Sequence, residues 1–238
     1  MIAARSVITY ILTGLYVLIV GSVGLLIAIP LRWKGLLYTL GHGGVALALG
    51  LAGIRYRVVG REHIPTGRAV VFCANHQSNV DPPVPFQALH RRLHILYKAE
   101  LRKIPVLGKV FEVGGFVPVQ REQRDAAFAS IERAAASIRA GNSFLIFPEG
   151  TRSKTDELLP FKKGGLVMAL RAQAPILPVA IMGGREAMHK GSALVRPVNV
   201  TVRIGEPIET AGMSADDRDE LIELVRGKIR DLIRLGPA

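Results

Sequence analysis

Residues 69–81 read Ala-Val-Val-Phe-Cys-Ala-Asn-His-Gln-Ser-Asn-Val-Asp, and Pro82-Pro83 follow. Six apolar residues in a row end in a polar loop. A short, unbroken apolar run closed by turn residues is the pattern of a strand buried on both faces, and such strands belong to parallel sheets covered by helices. Ligands of open parallel sheets gather beyond the carboxyl ends of the strands, and His76 and Asp81 stand at such an end. Imidazole titrates near neutrality, so a histidine there can take a proton. An aspartate that turns back on it can hold the other ring nitrogen and stabilise the imidazolium. An aspartate before proline is also a good helix cap, and both roles are open for Asp81 at this point. Ser78 has no G-x-S-x-G elbow around it and is expected to hydrogen-bond within the loop.

Outward from this stretch, short strands and helices alternate. Strands are expected over 55–59, 68–74, 93–97, 115–119, 143–147, 176–182 and 198–204, and helices over 82–90, 125–140, 165–173 and 215–235. Gly141 should end the second of these helices, and Ser214 with Asp217 forms an approximate capping box for the last. The order predicts an α/β fold, a mainly parallel sheet covered by helices. No internal repeat, long linker or low-complexity segment interrupts the 238 residues.

The N-terminal part differs in composition. No Asp, Glu, Lys or Arg occurs from Ser6 to Leu31 or from Gly35 to Ile54, and Arg32-Trp33-Lys34 separates the two stretches. Each is long enough to cross about 30 Å of hydrocarbon as a helix. A cleaved signal peptide would have a shorter apolar region and no second run behind it. Gly41, Gly43, Gly44, Gly50 and Gly53 are expected to let the second helix approach the first, as small residues do in membrane helix pairs. Trp33 between two basic residues suits a membrane interface. Residues 1–54 are thus expected to form a membrane-anchoring helix pair and 55–238 a catalytic domain.

The chain carries a net charge of +12. Zinc-finger spacing, basic-aromatic interleaving and RNA-binding signatures are all missing, which argues against nucleic acid as a partner. An anionic membrane surface fits better: Arg91, Arg92, Lys98, Arg102, Lys103 and Lys109 share one short stretch with a single acid among them, Glu100. The one cysteine, Cys73, rules out a disulfide within the chain. There is no G-x-G-x-x-G, Walker loop, H-E-x-x-H or cysteine pair, so no cofactor and no metal are expected. His42, His63, His90, His94 and His189 lack a matching acid and read as incidental.

A second polar loop follows the apolar run Phe144-Leu145-Ile146-Phe147. It holds Glu149, Gly150, Thr151 and Arg152 and leads to Lys162-Lys163-Gly164. A guanidinium presents a planar fork to phosphate or carboxylate, and a glycine beside it lets the backbone come close. The loop reads as an anion site.

Taken together, these segments make the chain resemble the 1-acyl-sn-glycerol-3-phosphate acyltransferase, or lysophosphatidic acid acyltransferase, family. Asn75, His76, Ser78 and Asp81 match its Asn-His-x-Ser-x-x-Asp motif. Gly115-Phe116-Val117-Pro118-Val119-Gln120-Arg121 is similar to its second motif, with Gln120 where aspartate is usual. Phe147 to Ser153 match Phe-Pro-Glu-Gly-Thr-Arg-Ser in full, Phe161 to Gly164 match the segment that follows it, and Ile176 to Ala180 resemble the fourth motif. The resemblance covers about Val58 to Ile208, and a membrane helix pair is usual in front of it.

What it implies is a direct acyl transfer. His76 deprotonates the hydroxyl of a lysophospholipid, Asp81 orients His76, and the oxygen attacks the thioester of acyl-CoA or acyl carrier protein. Glu149, Gly150, Thr151 and Arg152 are implied to hold the acceptor's phosphate, with Lys98 and Arg121 adding positive charge. The implied location is the cytoplasmic membrane with the catalytic domain on the cytoplasmic side. Another lysolipid, such as a lyso-ornithine lipid, is an alternative acceptor. A thioester hydrolase and a non-catalytic module binding anionic lipid are alternatives of other classes.

Overall fold

A computed structural model describes residues 1–89, 92–120 and 124–238, and of Arg124 the backbone alone; His90, Arg91 and Arg121 lie outside the described residues. Two apolar helices lead the chain, α1 (Ile2–Ala28) and α2 (Lys34–Ala52), each long and apolar enough to cross a membrane by length and composition. They pack on each other, and Tyr16 of α1 lies across Gly43 and Gly44, where an added Cβ would come within 2.8 Å of its ring or hydroxyl. The other glycines singled out in α2 act differently. Gly41 faces Phe86, Gly50 has open space around it, and Gly53 ends the helix with a left-handed φ of 72°. Large apolar side chains of α1, among them Ile11, Leu15, Ile19 and Leu26, point outward.

Seven strands follow: β1 (Ile54–Val59), β2 (Val71–Ala74), β3 (His94–Lys98), β4 (Val117–Val119), β5 (Phe144–Ile146), β6 (Ile176–Met182) and β7 (Val198–Ile204). They form one sheet in the order β1-β7-β6-β2-β5-β3-β4. Every pairing is parallel except β6 with β7, so β1 and β7 run together against the other five. The mainly parallel sheet is as expected. The reversed end pair was not, because period and composition do not report strand direction.

Helices α3 (Pro83–Ala88), α4 (Leu107–Gly114), α5 (Arg124–Arg139), α6 (Lys163–Ala172), α7 (Gly184–Ala187) and α8 (Arg218–Arg234) complete the chain. Alternate residues of the central strands serve two cores. Val71, Cys73, Phe144 and Ile146 face α5, α6 and α8, whereas Phe72, Ala74 and Leu145 face Val84 and Phe86 of α3 and Tyr38, Leu49 and Ala52 of α2. Burial on both sides is what the unbroken apolar run demands. Cys73 is fully buried there, and loss of solvent pushes its thiol far above the ordinary range.

Two local expectations change. The helix α4, flanked by Pro105 and Gly115, was not foreseen. At the start of α8 the carboxylate of Asp217 accepts from both the N–H and the hydroxyl of Ser214 (2.7 and 3.1 Å), so the pair closes a turn before the helix and makes no side-chain cap on it.

Candidate active site

β2 lies between β6 and β5, and all three run parallel, so their carboxyl ends bring three loops to one edge of the sheet. The β2 loop starts with an anchor. Asn75 is buried, donates its amide to the carbonyl of Ile181 (2.9 Å) and accepts from the N–H of the same residue (2.7 Å), like one more rung between β2 and β6.

The chain then turns back on itself. Oδ2 of Asp81 accepts from the backbone N–H of Gln77 and of Ser78, each at 2.6 Å, and lies 2.9 Å from Nδ1 of His76. The first residue of α3 is Pro83, and no side chain caps that helix. Of the two roles open to Asp81, the structure shows the contact with His76 and not the cap. Nδ1 is thereby committed, and Nε2 has no hydrogen-bond partner among the described residues. Phe147 packs on the imidazole with ring centroids 4.4 Å apart. Asp81 is 1% exposed. Its other oxygen, Oδ1, has no hydrogen bond among the described residues and lies against Gly184, where an added Cβ would fall 2.3 Å away. The hydroxyl of Ser78 donates to the carbonyl of Met188 (2.9 Å), outside its own loop.

The β5 loop is tied to this one by its acid. Glu149 is buried; Oε1 accepts the N–H of His76 (2.7 Å) and Oε2 that of Leu159 (3.0 Å). Burial raises its pKa above the usual carboxylate value, while the bonds from His76 and Leu159 oppose the shift. The N–H of Ser153 donates to the carbonyl of His76 (2.7 Å), so the two loops grip the same residue from both sides. Gly150 has a left-handed φ of 69°, and Arg152 is half-buried with no hydrogen bond or ion pair for its guanidinium among the described residues. Lys98 stands at the end of β3, two strands from β2, and is paired with Glu100 at 3.1 Å.

The third loop, 183–197 after β6, was not singled out in the sequence. It contributes Gly184 and Met188 to the surroundings of Asp81 and Ser78, and it meets the β5 loop through Arg185 and Lys190. It also touches α1, whose Ser6 hydroxyl accepts the N–H of Val195 (2.8 Å) and whose Tyr10 hydroxyl donates to the carbonyl of Ala193 (2.8 Å).

A family model described as Acyltransferase matches residues 55–182, from the first strand to the end of β6. A 1-acyl-sn-glycerol-3-phosphate acyltransferase of Limnanthes douglasii is 32% identical over 209 residues, covering 85% of this chain and 73% of its own length. One of Borreliella burgdorferi is 31% identical over 185 residues, covering 78% and 74%. The crystal structure of the 1-acyl-sn-glycerophosphate acyltransferase PlsC from Thermotoga maritima superposes with a TM-score of 0.84 at 26% identity, over 98% of this chain and 95% of that one. The chain belongs to the 1-acyl-sn-glycerol-3-phosphate acyltransferase family. It is an O-acyltransferase, and an acyltransferase of this family needs a base for a hydroxyl, a place for an acyl donor and a place for a lysophospholipid.

One further feature of the acyltransferase fold lies beside the β2 loop. An apolar cavity of about 370 Å³ lies between the helix pair and the sheet. Pro82 and Pro83, next to Asp81, are in its wall with Tyr16, Tyr38, Phe86 and Phe116, so it adjoins the dyad.

Proposed function

We propose that the protein transfers a fatty acyl group from acyl-CoA or acyl carrier protein to the free hydroxyl of lysophosphatidic acid, forming phosphatidic acid. The observation that carries the reading is the contact of 2.9 Å between Nδ1 of His76 and Oδ2 of Asp81 at the end of a central strand. It leaves Nε2 as the nitrogen that takes the proton of the acceptor hydroxyl. The alkoxide oxygen bonds to the thioester carbon, the tetrahedral intermediate expels the thiolate, and the imidazolium returns its proton to sulfur. Asp81 compensates the positive charge of the imidazolium while it lasts. Atoms balance with no acyl-enzyme and no cofactor. Arg152 holds the acceptor's phosphate beside Glu149, Gly150 and Thr151, with Lys98 and Arg121 adding positive charge. The apolar cavity takes an acyl chain.

The reaction is placed at a membrane, the cytoplasmic membrane with the sheet on the cytoplasmic side. The outward apolar side chains of α1 support insertion of residues 1–54, and the basic stretch 91–109 supports contact with anionic lipid. Purified protein given acyl-CoA should release CoA only when lysophosphatidic acid is present, with phosphatidic acid as the product. CoA release of equal rate without an acceptor would make the protein a thioester hydrolase, and preference for a lysolipid lacking a phosphomonoester would reassign the acceptor.

A further inference from the structure

The loop after β6 brings a cation to the β5 loop from a part of the chain that no motif includes. Nζ of Lys190 donates to Oγ1 of Thr151 (3.1 Å) and to the carbonyl of Arg152 (2.9 Å). Both acceptors are neutral, and an ammonium has three donors, so one remains. Lys162 approaches the same turn from the other direction: a Cβ added to Gly150 would fall 2.9 Å from its Cδ and 3.3 Å from its Nζ.

The neighbouring cations behave differently. Arg185 also reaches the β5 loop, at the carbonyl of Lys154, but it is paired with Asp156 (3.3 Å) and Glu186 (3.6 Å). Lys163 is paired with Asp219 at 3.1 Å. Among the described residues Arg152, Lys162 and Lys190 have no carboxylate partner. The loop's buried acid cannot serve them, since both oxygens of Glu149 accept backbone N–H groups elsewhere. Three like charges around one turn repel each other, and a ligand of opposite charge relieves that repulsion.

We propose that Lys190, together with Lys162, completes a three-cation site with Arg152 that binds a phosphomonoester, and that this is the phosphate of the acceptor. The proposal rests on the acyl-transfer reading above and adds to it a residue outside its motifs. A phosphomonoester brings about −1.5 to −2 charges and three acceptor oxygens at neutral pH, which suits three cations better than a carboxylate would. Two phosphomonoesters take part in the reaction, that of lysophosphatidic acid and the 3′-phosphate of CoA. Position favours the first. The loop that carries Arg152 is bonded to both the N–H and the carbonyl of His76, so the site lies close to the base. In lysophosphatidic acid the phosphate is on the carbon next to the reacting hydroxyl, whereas the 3′-phosphate of CoA is at the far end of the pantetheine arm from the thioester.

The test uses the full chain purified in micelles, with Lys190→Gln and Lys190→Arg. Glutamine can still donate to Thr151 and to the carbonyl of Arg152 but carries no charge, which separates loss of charge from loosening of the loop. Lys190→Gln should raise the KM for lysophosphatidic acid about 10- to 100-fold, the range of a charged hydrogen bond, and move the KM for acyl-CoA less than twofold. Lys190→Arg should recover most of the difference. Calorimetric titration with glycerol 3-phosphate should weaken by a similar factor in Lys190→Gln, and more so at low salt, where charge is less screened. Unchanged KM and unchanged glycerol 3-phosphate binding would overturn the proposal. So would a raised KM for acyl-CoA that disappears with a dephospho-CoA thioester, because the site would then belong to the donor. If the wild type failed to acylate lysophosphatidic acid but bound glycerol 3-phosphate through Lys190, the acyl-transfer reading would fall and the phosphate site would stand.

Discussion

The loops after β2 and β5 each contain one buried acid and, close to it in sequence, a nitrogen-bearing side chain, and they use the acids in opposite ways. In the first, Asp81 holds the base of its own loop, His76, at 2.9 Å. In the second, Glu149 turns away from Arg152 and holds the backbone of the first loop instead. Both acids are buried and both accept two backbone N–H groups. Neither buried carboxylate has an oxygen left for a ligand on the side that holds these N–H groups. The acids set backbone geometry, and the imidazole, which is oriented, and the guanidinium, which has no partner among the described residues, are left for the chemistry and binding proposed above.

The sharpest way to break this contrast is to remove the oriented base. His76→Ala should lower kcat by about 10²–10⁴-fold, the usual contribution of a positioned general base, with thermal unfolding little changed. Asp81→Asn should lose nearly as much, because a neutral amide no longer compensates the imidazolium and has one acceptor oxygen fewer among the three donors that now meet Oδ2. Near-normal turnover by folded His76→Ala would end the mechanism. Next in size is a change outside both loops. Gly184→Ala places a methyl group 2.3 Å from Oδ1 of Asp81 and should displace the carboxylate; a misplacement of about 1 Å costs up to about 10²-fold. The loss should appear in kcat, with the substrate KM values nearly constant. A fully active variant would show that Asp81 has room to move.

For the second loop, Arg152→Lys keeps the charge but loses the planar fork. The KM for lysophosphatidic acid should rise on the order of tenfold, while that for acyl-CoA stays put. The reverse pattern would move Arg152 to the donor. The smallest effect on turnover belongs to Glu149→Gln. Glutamine can accept only one of the N–H groups of His76 and Leu159, and leaving the other unsatisfied in a buried place should cost about 1–3 kcal/mol in denaturant unfolding. If stability held and only activity fell, Glu149 would be acting on the ligand.

Much of the fold was legible because the strands carry it in their own residues. The run 69–74 needs apolar neighbours on both faces, and Ile176–Met182 and Val198–Ile204 have the bounds read from sequence. Strand direction was not legible, since β7 looks the same pointing either way. Nor was α4, whose short segment between Pro105 and Gly115 offers turn signals at each end and only two turns between. At the site, the pairing of His76 with Asp81 could be read from spacing, but the choice between cap and partner depended on where the backbone went. Glu149 read as part of an anion site, and its grip on His76 depends on β2 and β5 being neighbours. Gly184 and Lys190 left no local signal at all. Each matters only because β6 lies next to β2, and a pattern along the chain does not report adjacency across it.

The edge strand has a consequence for how the chain matures. β1 pairs with β7 from Ile54 opposite Val198 to Val59 opposite Arg203, and with no other strand among the described residues. Tyr38, Leu49 and Ala52 of α2 share a core with Val200 and Val202 of β7. The first strand of this sheet to be synthesised is therefore among the last to find its partner, and the inner face of α2 waits with it. Pairing across so much intervening chain is slow, and unpaired edges and bare apolar faces aggregate while they wait. A bilayer that takes up α1 and α2 as they emerge, as proposed above, would shelter them through that interval. The order of synthesis would then place the most vulnerable surface in lipid before the rest of the sheet exists to cover it.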